Sequence, residues 1–127
     1  MVRGSVTDPG RLASLAARAA SSKQGEAIVV LDVRDLITIT DYFVIASGTS
    51  DRQVKTIADE VIATLKVQDM RPVRQEGEPA AGWVLLDFVD FVVHVFSQDR
   101  REYYRLDNLW ADAPVIDWGE KAEAASS

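Results

Sequence analysis

The chain has 127 residues, no cysteine, one histidine and a formal net charge of −6. That length supports one domain around a single hydrophobic core, and the absence of cysteine excludes disulfides, thiol nucleophiles and thiolate metal sites. No apolar run approaches the roughly 20 residues that cross a bilayer, and Met1 to Gly10 lacks the apolar centre of a signal peptide, so a cytoplasmic location without membrane contact is expected.

The first 24 residues carry Arg3, Arg11, Arg18 and Lys23 against Asp8, a local excess of positive charge on an otherwise acidic chain. Within them, Asp8-Pro9 predicts a helix start, with Pro at the first helical position and Leu12, Leu15, Ala16 and Ala19 on one face. Lys23-Gln24-Gly25 ends that helix. Ala27 to Val33 is β-branched and almost wholly apolar, the pattern of a strand covered on both faces, and Asp41 to Ser47 is a second such strand. Ser50 and Gln53 have the spacing of a capping box, and Val54, Ile57, Ala58, Val61, Ile62 and Leu65 then recur at helical spacing. Met70 to Gln75 is a short strand candidate, followed by a polar loop over Glu76 to Gly82. Trp83 to Asp87 and Phe91 to Phe96 predict a hairpin turning at Phe88-Val89-Asp90. Ser97 can cap a last helix running to about Trp110. From Ala111 the chain turns Ala-, Ser- and acid-rich, which predicts a single domain over residues 1–111 and a flexible acidic tail over 112–127, unless Val115, Ile116 and Trp118 dock as a short apolar hook. The order α-β-β-α-β-β-β-α fits helices packed on a mixed β-sheet, an α/β (α+β) fold, better than strictly alternating βαβ units.

The pattern offers little for catalysis. A lone histidine, His94, cannot build a histidine metal cluster, and no Ser or carboxylate is tied to it by a recognisable motif, so a structural place on a sheet face is its simplest reading. The pairs Asp32 with Asp35 and Asp87 with Asp90 flank strand ends and turns, where carboxylates ordinarily cap and solubilise. Ser47-Gly48-Thr49-Ser50 joins a strand to a helix, a place where backbone N–H groups can hold a phosphate. A nucleotidyltransferase needs two carboxylates alternating on a strand soon after such a turn. Here the corresponding stretch, Ile57-Ala58-Asp59-Glu60, is helical, and adjacent helical residues point about 100° apart, which does not clamp a metal. No Walker lysine follows the glycine. No catalytic residue, metal site or cofactor site is therefore assigned. The acidic balance also disfavours direct RNA binding, since few phosphates could be neutralised, and suits a basic protein partner better.

A set of short motifs then carries a resemblance. Thr40-Asp41-Tyr42-Phe43-Val44-Ile45-Ala46-Ser47-Gly48-Thr49-Ser50 is followed by Arg52 and Ile57-Ala58-Asp59. Later come Glu76-Gly77, Gly82-Trp83, Asp87, Val93-His94-Val95, Arg100-Arg101-Glu102-Tyr103-Tyr104 and Leu109-Trp110. In this order, over about residues 10–111, the set resembles the Iojap family, the bacterial ribosomal silencing factors. The resemblance implies a nucleotidyltransferase-like fold without its catalytic carboxylates. It also implies binding of the large ribosomal subunit through ribosomal protein L-fourteen, a block on joining of the small subunit, and a homodimer when free. A divergent nucleotidyltransferase-like enzyme and a dimerisation module with no ribosomal link are the rival readings.

Strand alternation suggests where a partner sits. It puts Trp83, Leu85 and Asp87 on one face of the hairpin and Val84 and Leu86 on the other. A turn near residues 88–90 sets Leu85 opposite Val92 and Trp83 opposite His94, so that Trp83, Leu85, Val92, His94 and Phe96 share a face. An aromatic and aliphatic patch of this kind suits a binding hot spot, or equally a core covered by helices; pattern alone leaves both open. In the family, the tryptophan matching Trp83 belongs to the ribosomal-protein contact, which favours the interface. Arg100 and Arg101 begin the last helix beside the patch and complete the candidate partner-binding set, while Tyr103, Leu106 and Trp110 are assigned to the core.

Overall fold

Asp8 starts the first helix as its sequence position predicts, its carboxylate accepting the Gly10 N–H at 3.0 Å. A computed structural model describes residues 8–104 and 111–119 of the chain. Helix α1 (Pro9–Ser22) buries Leu12, Ala13, Ala16, Ala17, Ala19 and Ala20. Small residues on this stripe let the helix lie close to the sheet and to its neighbouring helix. Strands β1 (Glu26–Asp32) and β2 (Tyr42–Gly48) follow, and every residue of β2 is buried. Ser50 caps α2 (Asp51–Val67) by accepting the Gln53 N–H at 3.1 Å. The Gln53 side chain reaches back one residue further than in a regular capping box, its Oε1 accepting the Thr49 N–H at 2.6 Å. Its amide nitrogen donates to the carbonyls of Lys23 and Gln24, tying the end of α1 to the start of α2.

The remaining elements are β3 (Arg74–Glu78), a 3-10 turn (Pro79–Ala81), β4 (Trp83–Asp87), β5 (Phe91–Ser97), α3 (Gln98–Tyr104) and β6 (Val115–Ile116). The strands form one sheet in the order β3-β4-β5-β2-β1-β6. β2 runs parallel to β5, and the other four pairings are antiparallel. The expected mixed α/β architecture is therefore the observed one. Both long helices lie on one face, where they bury Val30, Val44, Ala46, Val84, Leu86, Phe91, Val93 and Val95.

Three local expectations need correction. The segment 76–82 is not all loop, because β3 continues to Glu78 and pairs with β4 through its backbone. Every β3 residue is exposed, so an edge strand bearing charges leaves no apolar alternation to read. The hairpin register is also two residues away from the one expected, with Trp83 opposite Phe96, Leu85 opposite His94 and Asp87 opposite Val92. The turn tightens onto Val89 and Asp90, with the Asp90 N–H donating to the Phe88 carbonyl at 3.0 Å and Val89 at φ +76. A β-branched residue rarely adopts that conformation, so the sequence carries no glycine or asparagine to mark the turn. A shift of two preserves the faces, and the five predicted side chains do lie together.

The third correction concerns the tail. Residue 111 does not end the packed domain: Val115 and Ile116 pair with Leu31 and Val30, and the Asp32 N–H donates to the Pro114 carbonyl at 2.9 Å. Trp118 is 5 % exposed in the helix-side core, where its indole N–H donates to the Ile28 carbonyl at 3.3 Å. Arg18 Nε donates to the Trp118 carbonyl, fastening the strap to α1. Composition concealed this strap because a single large residue anchors a polar stretch. Residues 120–127, like residues 1–7 and the helix expected to continue through 105–110, lie outside the described residues.

Truncation after Ala111 should therefore be costly. Emptying a buried tryptophan site alone costs about 3–5 kcal/mol, so both the truncated chain and Trp118→Ala should unfold well below the full chain in a thermal melt. A truncated chain with an unchanged midpoint contradicts this packing.

Candidate protein interface

A sheet with both long helices on one side has to finish its other side differently. On that second face, Leu31, Val33, Phe43, Ile45, Phe96 and Ala113 form a separate apolar cluster, flanked by Val29, Ile37, Trp83 and Val92. Among the described residues, no helical side chain belongs to it. The cluster is central to the sheet and thins toward β4, where Trp83, Leu85 and Asp87 are only half-buried. Among the described residues the two long helices do not cover the predicted patch, although Arg101 of α3 reaches Ser47 at its margin.

Trp83 is held from two sides. Its ring stacks beside Phe96, centroids 6.5 Å apart and planes 26° apart. On the other side it lies against Gly77, whose φ is +81. A Cβ built there would stand 2.3 Å from the Trp83 carbonyl oxygen and 2.6 Å from indole Cε3. Only glycine combines this backbone with so close an approach. Nothing in the pattern along the chain marks Gly77 as a site residue, because the polar segment around it has the composition of a loop.

His94 stands on the same face, edge-on to Phe43 at 5.2 Å and stacked beside Phe96 at 5.9 Å. Burial among these rings pushes its pKa down to about 4, so the imidazole is neutral near pH 7 and adds a polar but uncharged group. Val92 is half-buried beside it.

The charged candidates separate. Asp87 spends its carboxylate inside the hairpin, accepting the Val89 N–H at 2.8 Å and lying 3.5 Å from Arg74. Arg101 is turned inward at 6 % exposure, donating to the Ser47 hydroxyl at 2.8 Å. Its expected availability to a partner is thereby withdrawn: α3 folds onto the ends of β2 and β5 and carries this side chain with it. Arg100 remains exposed, its N–H donating to the Ser97 hydroxyl. The side chain of Tyr103, with Leu106 and Trp110, lies outside the described residues.

The carboxylates and the strand-to-helix turn occupy ordinary structural places. Asp59 pairs with Lys55 at 2.7 Å on the exposed side of α2, and Glu60 accepts from Thr64 at 3.3 Å. Asp32 is held in two bonds by Arg34, which keep its carboxyl below the usual range. Among the described residues, no three His, Asp or Glu side chains gather as metal ligands. At the start of α2, the Ser50 hydroxyl and the Gln53 side chain already accept from the N–H groups of Gln53 and Thr49, so those two donors are filled from within the chain.

Comparison with known proteins decides the family. A family model described as "Ribosomal silencing factor during starvation" matches residues 6–127. The chain belongs to this family. It is 42 % identical over 106 residues to ribosomal silencing factor RsfS of Halalkalibacterium halodurans, covering 84 % of this chain and 91 % of that one. With the Bacillus subtilis RsfS it shares 43 % over 103 residues, covering 81 % and 87 %. A crystal structure of a Chromobacterium violaceum protein matches with a TM-score of 0.75 at 36 % identity, covering 79 % of this chain and 83 % of that one. Family membership supports a ribosome-associated silencing role, and these relatives are named as silencing factors and not as enzymes.

The half-buried imidazole of His94 gives the fold an acid limit. The folded pKa of His94, about 4, lies below the ordinary value near 6.5, so the unfolded chain binds a proton first as pH falls. Its contribution to stability is complete above about pH 6.5 and is lost progressively between there and about pH 4, by at most about 1.4 kcal/mol per pH unit. Denaturant titrations of wild type and His94→Phe should diverge in pH slope within that window, the wild type being the steeper. Identical slopes contradict the lowered pKa of the imidazole.

Proposed function

We propose that this silencing-family chain represses translation by seating the sheet face opposite its two long helices, anchored by Trp83, on the large ribosomal subunit through ribosomal protein L-fourteen. A body of 14.0 kDa docked on the joining face excludes the small subunit by volume alone, so no catalysis is required. The observation that carries this reading is the half-buried Trp83 fixed between Gly77 and Phe96 at the margin of an apolar face. A large, rigid, amphipathic ring loses little conformational freedom on binding and is a frequent hot-spot residue. The motif resemblance and the family match support the ribosome as the partner. The same reading has the free chain as a homodimer in the cytoplasm, with little direct RNA contact.

Trp83→Ala should abolish co-sedimentation with purified large subunits while the domain stays folded. Truncating a central anchor typically costs more than about 2 kcal/mol of binding, which is about thirtyfold or more in affinity. Leu85→Ala should follow the same pattern more weakly, because leucine presents less area. The unfolding midpoint is measured on the same samples. A folded Trp83→Ala protein that still sediments with the subunit sinks the anchor, as does one that fails only because it has unfolded.

A further inference from the structure

The strand that bounds the open face carries a charge pattern with a consequence for the partner. In the β3–β4 ladder, Glu76 lies in register with Leu85 and Glu78 with Trp83. Directly opposed residues of an antiparallel pair share one side of the sheet, so both carboxylates border the apolar patch. Their surroundings differ. Arg74 reaches Glu76 at 3.2 Å and Asp87 at 3.5 Å, which occupies its guanidinium at the far end of the strand. Glu78 is exposed, and among the described residues no cation pairs with it. Beside it the Trp83 ring is backed by Gly77 and flanked by Phe96. An exposed carboxylate that no cation pairs with among the described residues, in register with a half-buried indole, is a combination that accepts a planar cation: the carboxylate takes its N–H groups in charge-assisted bonds, and the exposed rim of the indole gives the flat group an apolar contact.

We propose that Glu78 and Trp83 together receive an arginine side chain of the docked ribosomal protein, and that Glu78 selects the partner by charge. This rests on the docking face put forward above and deepens it by naming the chemistry at its edge. A guanidinium suits the corner better than an ammonium, because it is flat, less strongly hydrated and able to bind a carboxylate through two parallel N–H groups. The chain's net charge of −6 favours approach of the same basic partner, and Glu78 converts that general attraction into a contact at one position.

The test is binding of the full chain to purified large subunits at low and at high ionic strength, with the unfolding midpoint recorded for each variant. Glu78→Gln should weaken binding about five- to tenfold at low salt, and the deficit should shrink at high salt as screening removes the wild-type advantage. Glu78→Arg should weaken it further, and Glu78→Asp should retain part of the affinity. Glu76→Gln is the internal control: its carboxylate is already matched by Arg74, so its effect should be less than about twofold. If Glu78→Gln binds like wild type at low salt while Trp83→Ala fails to bind, the arginine site is wrong and the docking face stands. Equal losses in Glu76→Gln and Glu78→Gln also overturn the site, since they reveal a diffuse field and not a contact. If Trp83→Ala binds normally as well, the docking face itself falls.

Discussion

The parallel pairing of β2 with β5 is the contact on which the other parts of this fold depend. Parallel neighbours cannot be joined by a tight turn, so the chain between them must leave the sheet and return. It does so through α2, β3 and β4, and this excursion settles two matters together. It lays α2 beside α1 on one face, and it adds β4 and then β3 outside β5, extending the sheet toward an edge. The burial of all seven residues of β2 fits this central place, with strands on both sides and apolar clusters above and below.

Both long helices being committed to one face, the opposite face is finished by other means. Near β1 and β2 the strap supplies Ala113 to its cluster. Toward β4 the described residues offer no such cover, and there the side chains support one another in the plane of the sheet: Trp83 against Phe96, Phe96 against His94, His94 against Phe43. Such a row of rings is held in place before any partner arrives, which limits the ordering cost of binding. Gly77 belongs to this arrangement, because its missing side chain is the space into which the indole lies. The strap closes the far edge in a different way, pairing with β1 and carrying Trp118 around to the helix side, so one peripheral segment touches both cores.

Much of this was legible in the residues. The two apolar strands, the capped helix after Ser50 and the alternation along Trp83 to Asp87 each follow from local rules that the fold does not override. The ordered motifs were enough to indicate the family. What escaped notice has specific causes. β3 is a polar edge strand whose pairing is made by backbone. The hairpin turn falls at Phe88-Val89-Asp90 as expected, but a valine in a left-handed conformation gives no sign of the turn's type, and with it the register shifts by two. The strap depends on one tryptophan inside a composition typical of disorder. Arg101 looked like a surface charge because nothing in its neighbourhood along the chain reveals Ser47, brought beneath it by the parallel strands. Gly77 and Glu78 were passed over for the same reason as β3: only the ladder with β4 gives them neighbours.

The central claim is that the chain silences ribosomes by occupying space through the Trp83 face. Light scattering during the mixing of purified small and large subunits tests this most directly, because the signal rises as whole ribosomes form. Preincubating large subunits with a stoichiometric amount of the chain should suppress the rise in proportion to the subunits occupied, without nucleotide or added metal. Trp83→Ala at the same concentration should leave the rise intact. Full joining in the presence of the wild-type chain, or suppression that Trp83→Ala reproduces, contradicts exclusion through this face.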